Sequence, residues 1–516
     1  MYTEQFRAFM DAHVDEMLED LKTLIAIPSE RGEAMPGMPF GSAAADAVAA
    51  ARQMMERYGL IVKNYDNYVV AGDLNTCPKH LDILAHLDVV PAGEGWTVTD
   101  AYTPVIAGGK IYGRGASDDK GPAIAALYAM RAVRELGLPL TKNVRLVLGS
   151  DEECGSSDLD YYYEREPEAP LTFSPDADFP VINVEKGGLH SSFTKAFKEC
   201  SGAPGADPVT AYAGAASENH TQESIGALAG GGHPHGAAIG GVRLMEVCAG
   251  TKINVVPGKA RALVAGVDLE ALRAITGEVE AATGIRFELE SPSLEPDGVS
   301  GQMPVTEITA IGRFAHAASP ETGNNALTAL VMVLGRLPFE DAQVREAFEF
   351  ICQKYPHGDF YGKALGVAMA DEISGPLTMS LNMLTFKDHT LTASFDCRAP
   401  LCANDGNTRA VIQSALAEGG FCLDERKMYP AHYVPADSPF VKTLLSCYSD
   451  VTGKPGKTLA IGGGTYVHDL KRGVAFGCSI EGVDNHMHGA DEFMDVDHLK
   501  ECAVIFAEAI RRLCSE

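Results

Sequence analysis

The run Gly113-Arg114-Gly115-Ala116-Ser117-Asp118-Asp119-Lys120-Gly121-Pro122 constrains this chain more than any other stretch. It sets two adjacent carboxylates between a glycine-rich turn and the start of a helix. Proline at a first helical position gives up only an amide that had no partner. Beyond it, Ile124, Leu127, Met130, Val133 and Leu136 recur at helical spacing. A doubled carboxylate at a turn is costly unless solvent, a cation or a metal compensates it. Alone, such a pair is an ordinary solvated turn. The rest of the chain points to a metal.

Leu81 to Pro91, Leu-Asp-Ile-Leu-Ala-His-Leu-Asp-Val-Val-Pro, reads as a buried strand stopped by Pro91. Alternation puts His86 and Asp88 on one side near its C-terminal end, where open α/β sheets place ligands. A carboxylate commonly holds the free nitrogen of a metal-binding histidine, and Asp88 is placed to do so. Val144 to Gly149 is a second buried strand, running directly into Ser150-Asp151-Glu152-Glu153-Cys154-Gly155. Of neighbouring acids, one can bind a metal while the next carries protons. Cys154 beside them is expected to be an ordinary buried thiol. In Ser174-Pro175-Asp176-Ala177-Asp178-Phe179-Pro180 two prolines stiffen two aspartates, and His486 and His488 lie far along the chain. Either or both histidines could ligate. The resulting set is His86, Asp118, Glu153, Asp176 and His488. Nitrogen and oxygen ligands without sulfur suit zinc, manganese or cobalt. Two ions about 3.5–4 Å apart need a bridging carboxylate, for which Asp118 is the candidate.

At 516 residues the chain exceeds one hydrophobic core, which predicts two domains. A formal charge of −28 disfavours nucleic acid and anionic membranes as partners. The N-terminal stretch reads as an amphipathic helix with Phe6, Met10, Met17, Leu21 and Leu24 on one face, not as a signal peptide. No apolar run is long enough to span a membrane. Twelve scattered cysteines without a Cys-x-x-Cys pair point to reduced thiols and the cytoplasm.

In order and over most of the chain, these motifs resemble the M20 metallopeptidases, specifically the PepV-like dinuclear dipeptidases. The matching segments are His86 to Pro91, Gly113 to Gly115 with Asp118 to Pro122, Glu152-Glu153, Ser174 to Pro180, and His488 to Glu492. The resemblance implies that His86 and Asp176 bind one ion and Glu153 and His488 the other. Asp118 would bridge them, with a cis Asp118–Asp119 peptide. Asp88 would orient His86, and Glu152 would be the general base acting with a metal-bridged hydroxide. Zn2+ is the first choice of ion, with Mn2+ or Co2+ as alternatives.

The family also carries a lid domain. Ala315-His316-Ala317-Ala318-Ser319-Pro320 resembles its histidine motif, so His316 would steady the oxygen of the tetrahedral intermediate. Ile253 to Pro257 resembles its asparagine motif, placing Asn254 on substrate. Asp396-Cys397-Arg398-Ala399-Pro400 resembles the segment whose arginine grips the substrate carboxylate, a task that suits a planar guanidinium. Ala460 to Tyr466 resembles a glycine-rich loop beside the substrate, through Gly463, Gly464 and Thr465. The departure from the family is a Gly/Ala/Ser-rich stretch from Gly202 to Gly241, containing His220, His233 and His235. These histidines are expected at the surface, because flexible segments hold ligands poorly.

The expected fold is an α/β catalytic domain with a mostly parallel sheet flanked by helices, residues 1–187 and 430–516. An α+β lid, residues 188–429, interrupts it. Helices are expected from Ala326 to Leu337 and from Ser438 to Val451, and a strand around Leu391–Phe395. The implied activity is cytoplasmic hydrolysis of dipeptides with a free C-terminal carboxylate. The small-peptide substrate is the expected partner, the chain acting as a monomer or else a homodimer. The alternatives are an N-acyl-amino-acid or succinyl-diaminopimelate deacylase of the same fold, and a binding protein without catalysis. Against the last stands Glu152, which mere binding does not require.

Overall fold

The computed structural model describes residues 2–197, 241–291, 303–480 and 482–515. Apart from Gly241, the Gly202–Gly241 stretch and its histidines lie outside the described residues. Two large sheets organise the molecule. The first runs, in spatial order, Ile61–Tyr65, Val69–Asp73, Asn143–Gly149, Lys79–His86, Leu171–Ser174, Gly473–Ala475, Val181–Glu185 and His432–Tyr433, with Thr458–Ile461 also on Val181–Glu185. Its centre is parallel: Lys79–His86 pairs in that sense with both neighbours, and so do Leu171–Ser174 with Gly473–Ala475 and Thr458–Ile461 with Val181–Glu185. Antiparallel pairs are the hairpin Ile61–Tyr65/Val69–Asp73, which joins Asn143–Gly149 in the same sense, His432–Tyr433 at the other margin, and, inside the sheet, Gly473–Ala475 with Val181–Glu185. The sheet is therefore mixed, parallel where the site residues leave it.

The apolar periodicities become the helical layer. Tyr2–Ile25 buries Phe6, Met10, Met17, Leu21 and Leu24. Lys120–Glu135 buries almost its whole length, packed against Tyr2–Ile25, Val496–Cys514 and the sheet. Gly121 is required at its start, since a Cβ there would lie 2.1 Å from the Ala116 carbonyl oxygen. These helices form one core with Leu81, Ile83, Ala85, Val144, Leu146 and Phe173 on one sheet face. A smaller core, including Tyr65, Leu84, Val147, Tyr162 and Tyr466, covers the other. Ser438 caps Pro439–Thr452 by accepting the Val441 amide.

The second sheet is antiparallel, in the order Arg286–Glu290, Val305–Ile311, Lys259–Ala265, Arg243–Ala249, Thr378–Lys387, Thr390–Ala399, Gly187–Ala196 and Cys422–Leu423. Helices Leu269–Thr283, Ala326–Leu334, Ala342–Lys354 and Ala410–Ala417 share its separate core. The helix expected to reach Leu337 stops at Leu334, ahead of Gly335. The chain passes between the sheets twice at one place, from Glu185 to Gly187 and back near Tyr429. There Gly188 and Tyr429 exchange backbone hydrogen bonds, and Glu185 faces His432. No helix among the described residues is long and apolar enough to cross a membrane.

Candidate metal centre

The strand Lys79–His86 ends at His86, not at Pro91 as its apolar run predicts. Beyond it the backbone turns aside, with Val89 N–H bonded to the Ser29 carbonyl. His86 is fully buried, and its Nε2 lies 3.0 Å from Asp118 Oδ1 and 3.6 Å from Asp176 Oδ2. The other Asp118 oxygen, Oδ2, is 2.7 Å from His488 Nε2, which is 3.2 Å from Glu153 Oε1. Ligand atoms of His86, Asp118 and Asp176 fall within 4.8 Å of one another, as do those of Asp118, Glu153 and His488. One carboxylate thus presents one oxygen to each of two imidazole–carboxylate clusters. The Asp118–Asp119 peptide is cis.

Of the two histidines, His488 lies in the cluster and His486 does not. His486 Nδ1 lies 3.1 Å from the Ala490 carbonyl, outside both clusters, and His486, His488 and Asp491 all adopt positive φ. His488 is half exposed, so the centre opens to solvent on that side. Asp88 lies against His86 and has a second task besides. Its carboxylate accepts the Glu152 and Glu153 amides at 3.1 and 3.0 Å, fixing the acidic turn. Its backbone carbonyl accepts the hydrogen bond of His86 Nδ1–H at 3.0 Å, while its carboxylate is 3.5 Å from that nitrogen. With Nδ1 protonated, Nε2 is the nitrogen turned towards Asp118 and Asp176. Cys154, expected to be buried, is exposed.

The donor set fits divalent ions. Glu153 Oε1 is buried and, beyond the His488 imidazole 3.2 Å away, has no hydrogen-bond donor among the described residues. Burial, then the charges of Asp176, Glu153 and Asp118, push the Glu152 carboxyl well above its usual range, against the pull of His86. Burial and the Asp118 charge push Asp176 up to about 6. Asp118 goes the other way, its carboxyl held low by His488 and His86 against burial, so ionised and ionisation-resisting carboxylates share one pocket, an arrangement that a cation would stabilise.

Two residues holding this centre had no role in the sequence reading. Glu492 is fully buried and accepts from Arg114 Nη1 at 2.6 Å, Gly115 N at 3.1 Å, Ser117 N at 2.9 Å and Asp118 N at 3.2 Å. It therefore shapes the turn that carries Asp118, with Arg114 as its charge partner. An acidic residue following a ligand motif was the available signal.

The residues attributed to a lid converge on a second group. Val255 pairs with His316, and the Ala317 amide bonds to the Asn254 carbonyl. His316 Nδ1 accepts the Ala318 amide at 3.2 Å, so in neutral imidazole the proton sits on Nε2. Burial and the nearby positive charge of Arg398 lower the His316 pKa, favouring that neutral form; His488 and His190 act in the same sense. Arg398 is buried and holds Asp396 with two bonds, at 2.8 and 2.9 Å, and the Gly462 carbonyl at 2.8 Å. Asp396 is also 3.1 Å from His190, which the sequence reading missed along with Tyr429 beside it. Gly462 packs against Ala318, where a Cβ would come within 2.9 Å of the Ala318 methyl. Gly463 and Gly464 follow, and Thr465 is bound to Glu185 through both its amide and its hydroxyl.

Paired imidazole–carboxylate clusters, placed where a parallel sheet centre ends and faced by a second sheet, define the class as a metallohydrolase. The model of peptidase family M20/M25/M40 matches residues 83–512, and the chain belongs to that family. It is 34% identical over 99% of its length to 98% of a Beta-Ala-Xaa dipeptidase from Lactobacillus delbrueckii subsp. lactis. Its fold resembles that of human carnosine dipeptidase 1, with a TM-score of 0.54, 15% identity and 99% of each chain covered. It also resembles aminoacylhistidine dipeptidase from Vibrio alginolyticus, with a TM-score of 0.53, 14% identity and 97% of each chain covered.

Proposed function

We propose that this chain is a dipeptidase that hydrolyses dipeptides bearing a free C-terminal carboxylate, with two divalent ions shared through Asp118. The observation that carries the reading is the division of the two Asp118 oxygens between the His86 and His488 clusters, with Glu152 beside them. The likeness to a Beta-Ala-Xaa dipeptidase over almost the whole of both chains supports the substrate class. His86 and Asp176 would hold one ion, and Glu153 and His488 the other. Bound ions of this kind supply Lewis acidity and lower the pKa of water to about 7 in favourable zinc sites. Zinc is the first choice, and manganese or cobalt suit the same ligands.

The chain's own side chains supply the remaining steps. Glu152 takes a proton from the attacking water and passes it to the leaving amine nitrogen. Asp88 holds the backbone of that turn, so Glu152 stays in place as it gains and loses the proton. His316 offers Nε2–H to the carbonyl oxygen as negative charge develops on it. Arg398 commits three N–H groups to Asp396 and Gly462, which fixes its plane, and turns what remains to the substrate carboxylate. Asn254, Gly463, Gly464 and Thr465 would complete the substrate contacts. Residues 1–187 and 430–516 act as the catalytic domain and 188–429 as the lid, whose closure excludes water.

Because the lid of the same chain supplies His316 and Arg398, one copy is complete, which supports a monomer. All cysteines among the described residues are free thiols, which supports a reducing, cytoplasmic setting. The test is Glu152→Gln, assayed on dipeptides and N-acyl amino acids with metal content measured alongside. Dipeptide turnover should fall by about 10²–10⁴-fold with ion content unchanged. An active variant overturns the base assignment. Faster wild-type cleavage of N-acyl amino acids than of dipeptides reassigns the enzyme as a deacylase.

A further inference from the structure

Away from the metal centre, the buried Glu185 carboxylate forms an ion pair with the largely buried His468. Glu185 ends the last strand before the chain crosses to the second sheet, and is only 1% exposed. Its carboxylate accepts the Thr465 amide at 3.2 Å, the Thr465 hydroxyl at 2.8 Å and His468 Nδ1–H at 3.1 Å. The opposite nitrogen, His468 Nε2, lies 3.0 Å from the Pro430 carbonyl oxygen. Pro430 belongs to the returning crossover strand. A carboxylate and a carbonyl can only accept, so both ring nitrogens must carry protons and the ring is an imidazolium. The crossover is otherwise tightly built. A Cβ on Gly187 would lie 2.5 Å from the Tyr429 carbonyl oxygen, and one on Gly188 would lie 2.4 Å from that of Cys397.

We propose that His468, doubly protonated between Glu185 and Pro430, is a positioning residue that ties the glycine loop Gly462–Thr465 to both crossover strands. It thereby fixes the face that this loop presents to the dipeptide. This rests on the dipeptidase reading only for the identity of the substrate. The groups facing the ring are Glu185 on the outgoing strand, Asp469 on its own turn, and the Tyr429 and His432 rings on the returning strand, with centroids 5.6 and 6.4 Å away. The Glu185 hydrogen bond and charge raise the His468 pKa against the opposing effect of burial, in keeping with the charged form. Loop and crossover are one mechanical unit through this ring, so weakening it moves the substrate contacts and leaves the ion ligands alone.

The first test is nitrogen NMR of the whole chain labelled with 15N-histidine, at pH 7.5, with the His468 signals assigned by their loss in His468→Arg. Both ring nitrogens should be protonated in the wild type, and Glu185→Gln should return the ring to a neutral tautomer. A wild-type ring with one bare nitrogen overturns the proposal. The second test is kinetic. Glu185→Gln and His468→Gln should each raise the dipeptide KM about tenfold, the scale of one charged hydrogen bond, with kcat and metal content near wild type. His468→Arg, which keeps a cation with several N–H donors, should retain the wild-type KM. Wild-type KM in both glutamine variants also overturns the proposal. The NMR signature needs no substrate, so a failure of the dipeptidase reading would leave it standing.

Discussion

Replacing Glu492 by glutamine should destabilise the domain that carries the metal centre by about 3 kcal/mol. The carboxylate accepts four donors, two on each oxygen: Arg114 Nη1 and the Gly115 amide on Oε2, the Ser117 and Asp118 amides on Oε1. A glutamine oxygen keeps one pair and sets its NH2 against the other, so two donors lose an acceptor. In either orientation a guanidinium that is 1% exposed loses its charge partner as well. Breaking a buried ion pair from one side costs about 3–5 kcal/mol. Burial and the Asp118 charge still push the Glu492 carboxyl above its usual range, so desolvation is only partly offset by its donors. That places the expected cost near the lower end, about 3 kcal/mol. The chain has a single tryptophan, Trp96, whose ring lies 5.4 Å from the Arg114 guanidinium. Its fluorescence therefore reports unfolding of this domain in particular. With a urea slope of about 3 kcal/mol/M, the midpoint should fall by about 1 M. Arg114→Met should cost less, because Glu492 keeps three backbone donors. The loosened Asp118 turn should also weaken ion retention, by about 10–100-fold. A midpoint equal to wild type, or a larger loss in Arg114→Met than in Glu492→Gln, would refute the reasoning.

Further predictions concern catalysis, pH and metal removal. His316→Ala should lower kcat by about 10²–10³-fold with little change in KM, since its Nε2–H acts on charge that develops only in the transition state; steady-state kinetics on one dipeptide decides, and an unchanged kcat would remove His316 from the mechanism. Asp82 lies in the buried centre of a strand, paired to Lys79 at 2.9 Å, and burial pushes its carboxyl up to about 6 from the ordinary 3.8. A carboxyl raised on folding favours the folded state below pH 3.8 and loses that contribution as pH rises to 6. The stability of the wild type relative to Asp82→Asn should therefore fall by about 3 kcal/mol at most between pH 4 and pH 7, read from paired urea midpoints; a difference that stays flat would contradict it. Chelation should lower the thermal midpoint, because the carboxylates around Asp118 lose their counter-charge; an identical melt with and without chelator would argue against resident ions.

Much of the candidate centre could be read from the sequence because the side chains that cluster there sit where apolar strands stop. His86 and the Glu152–Glu153 pair follow runs of buried residues, and acids at such points have no packing explanation. The helices were readable for the same reason, through the periodic apolar faces of Tyr2–Ile25 and Lys120–Glu135. What escaped depends on contacts between distant residues. Glu492 meets Arg114 across 378 positions and His468 meets Glu185 across 283, and neither pairing has a local signature. Asp88 lies beside His86, and its carboxylate also accepts the amides of Glu152 and Glu153, which follow the end of another strand and leave no local signal. The antiparallel margins of the first sheet were equally hidden. A buried strand reads as the same apolar run whichever direction its neighbour takes.

The central claim is that Asp118 shares two ions between the His86 and His488 clusters. Anomalous diffraction from crystals grown with zinc or manganese tests it most directly. The expected map has two peaks, one on each side of the Asp118 carboxylate, bordered by His86 and Asp176 and by His488 and Glu153. A single peak, or two peaks that do not both touch Asp118, would contradict it.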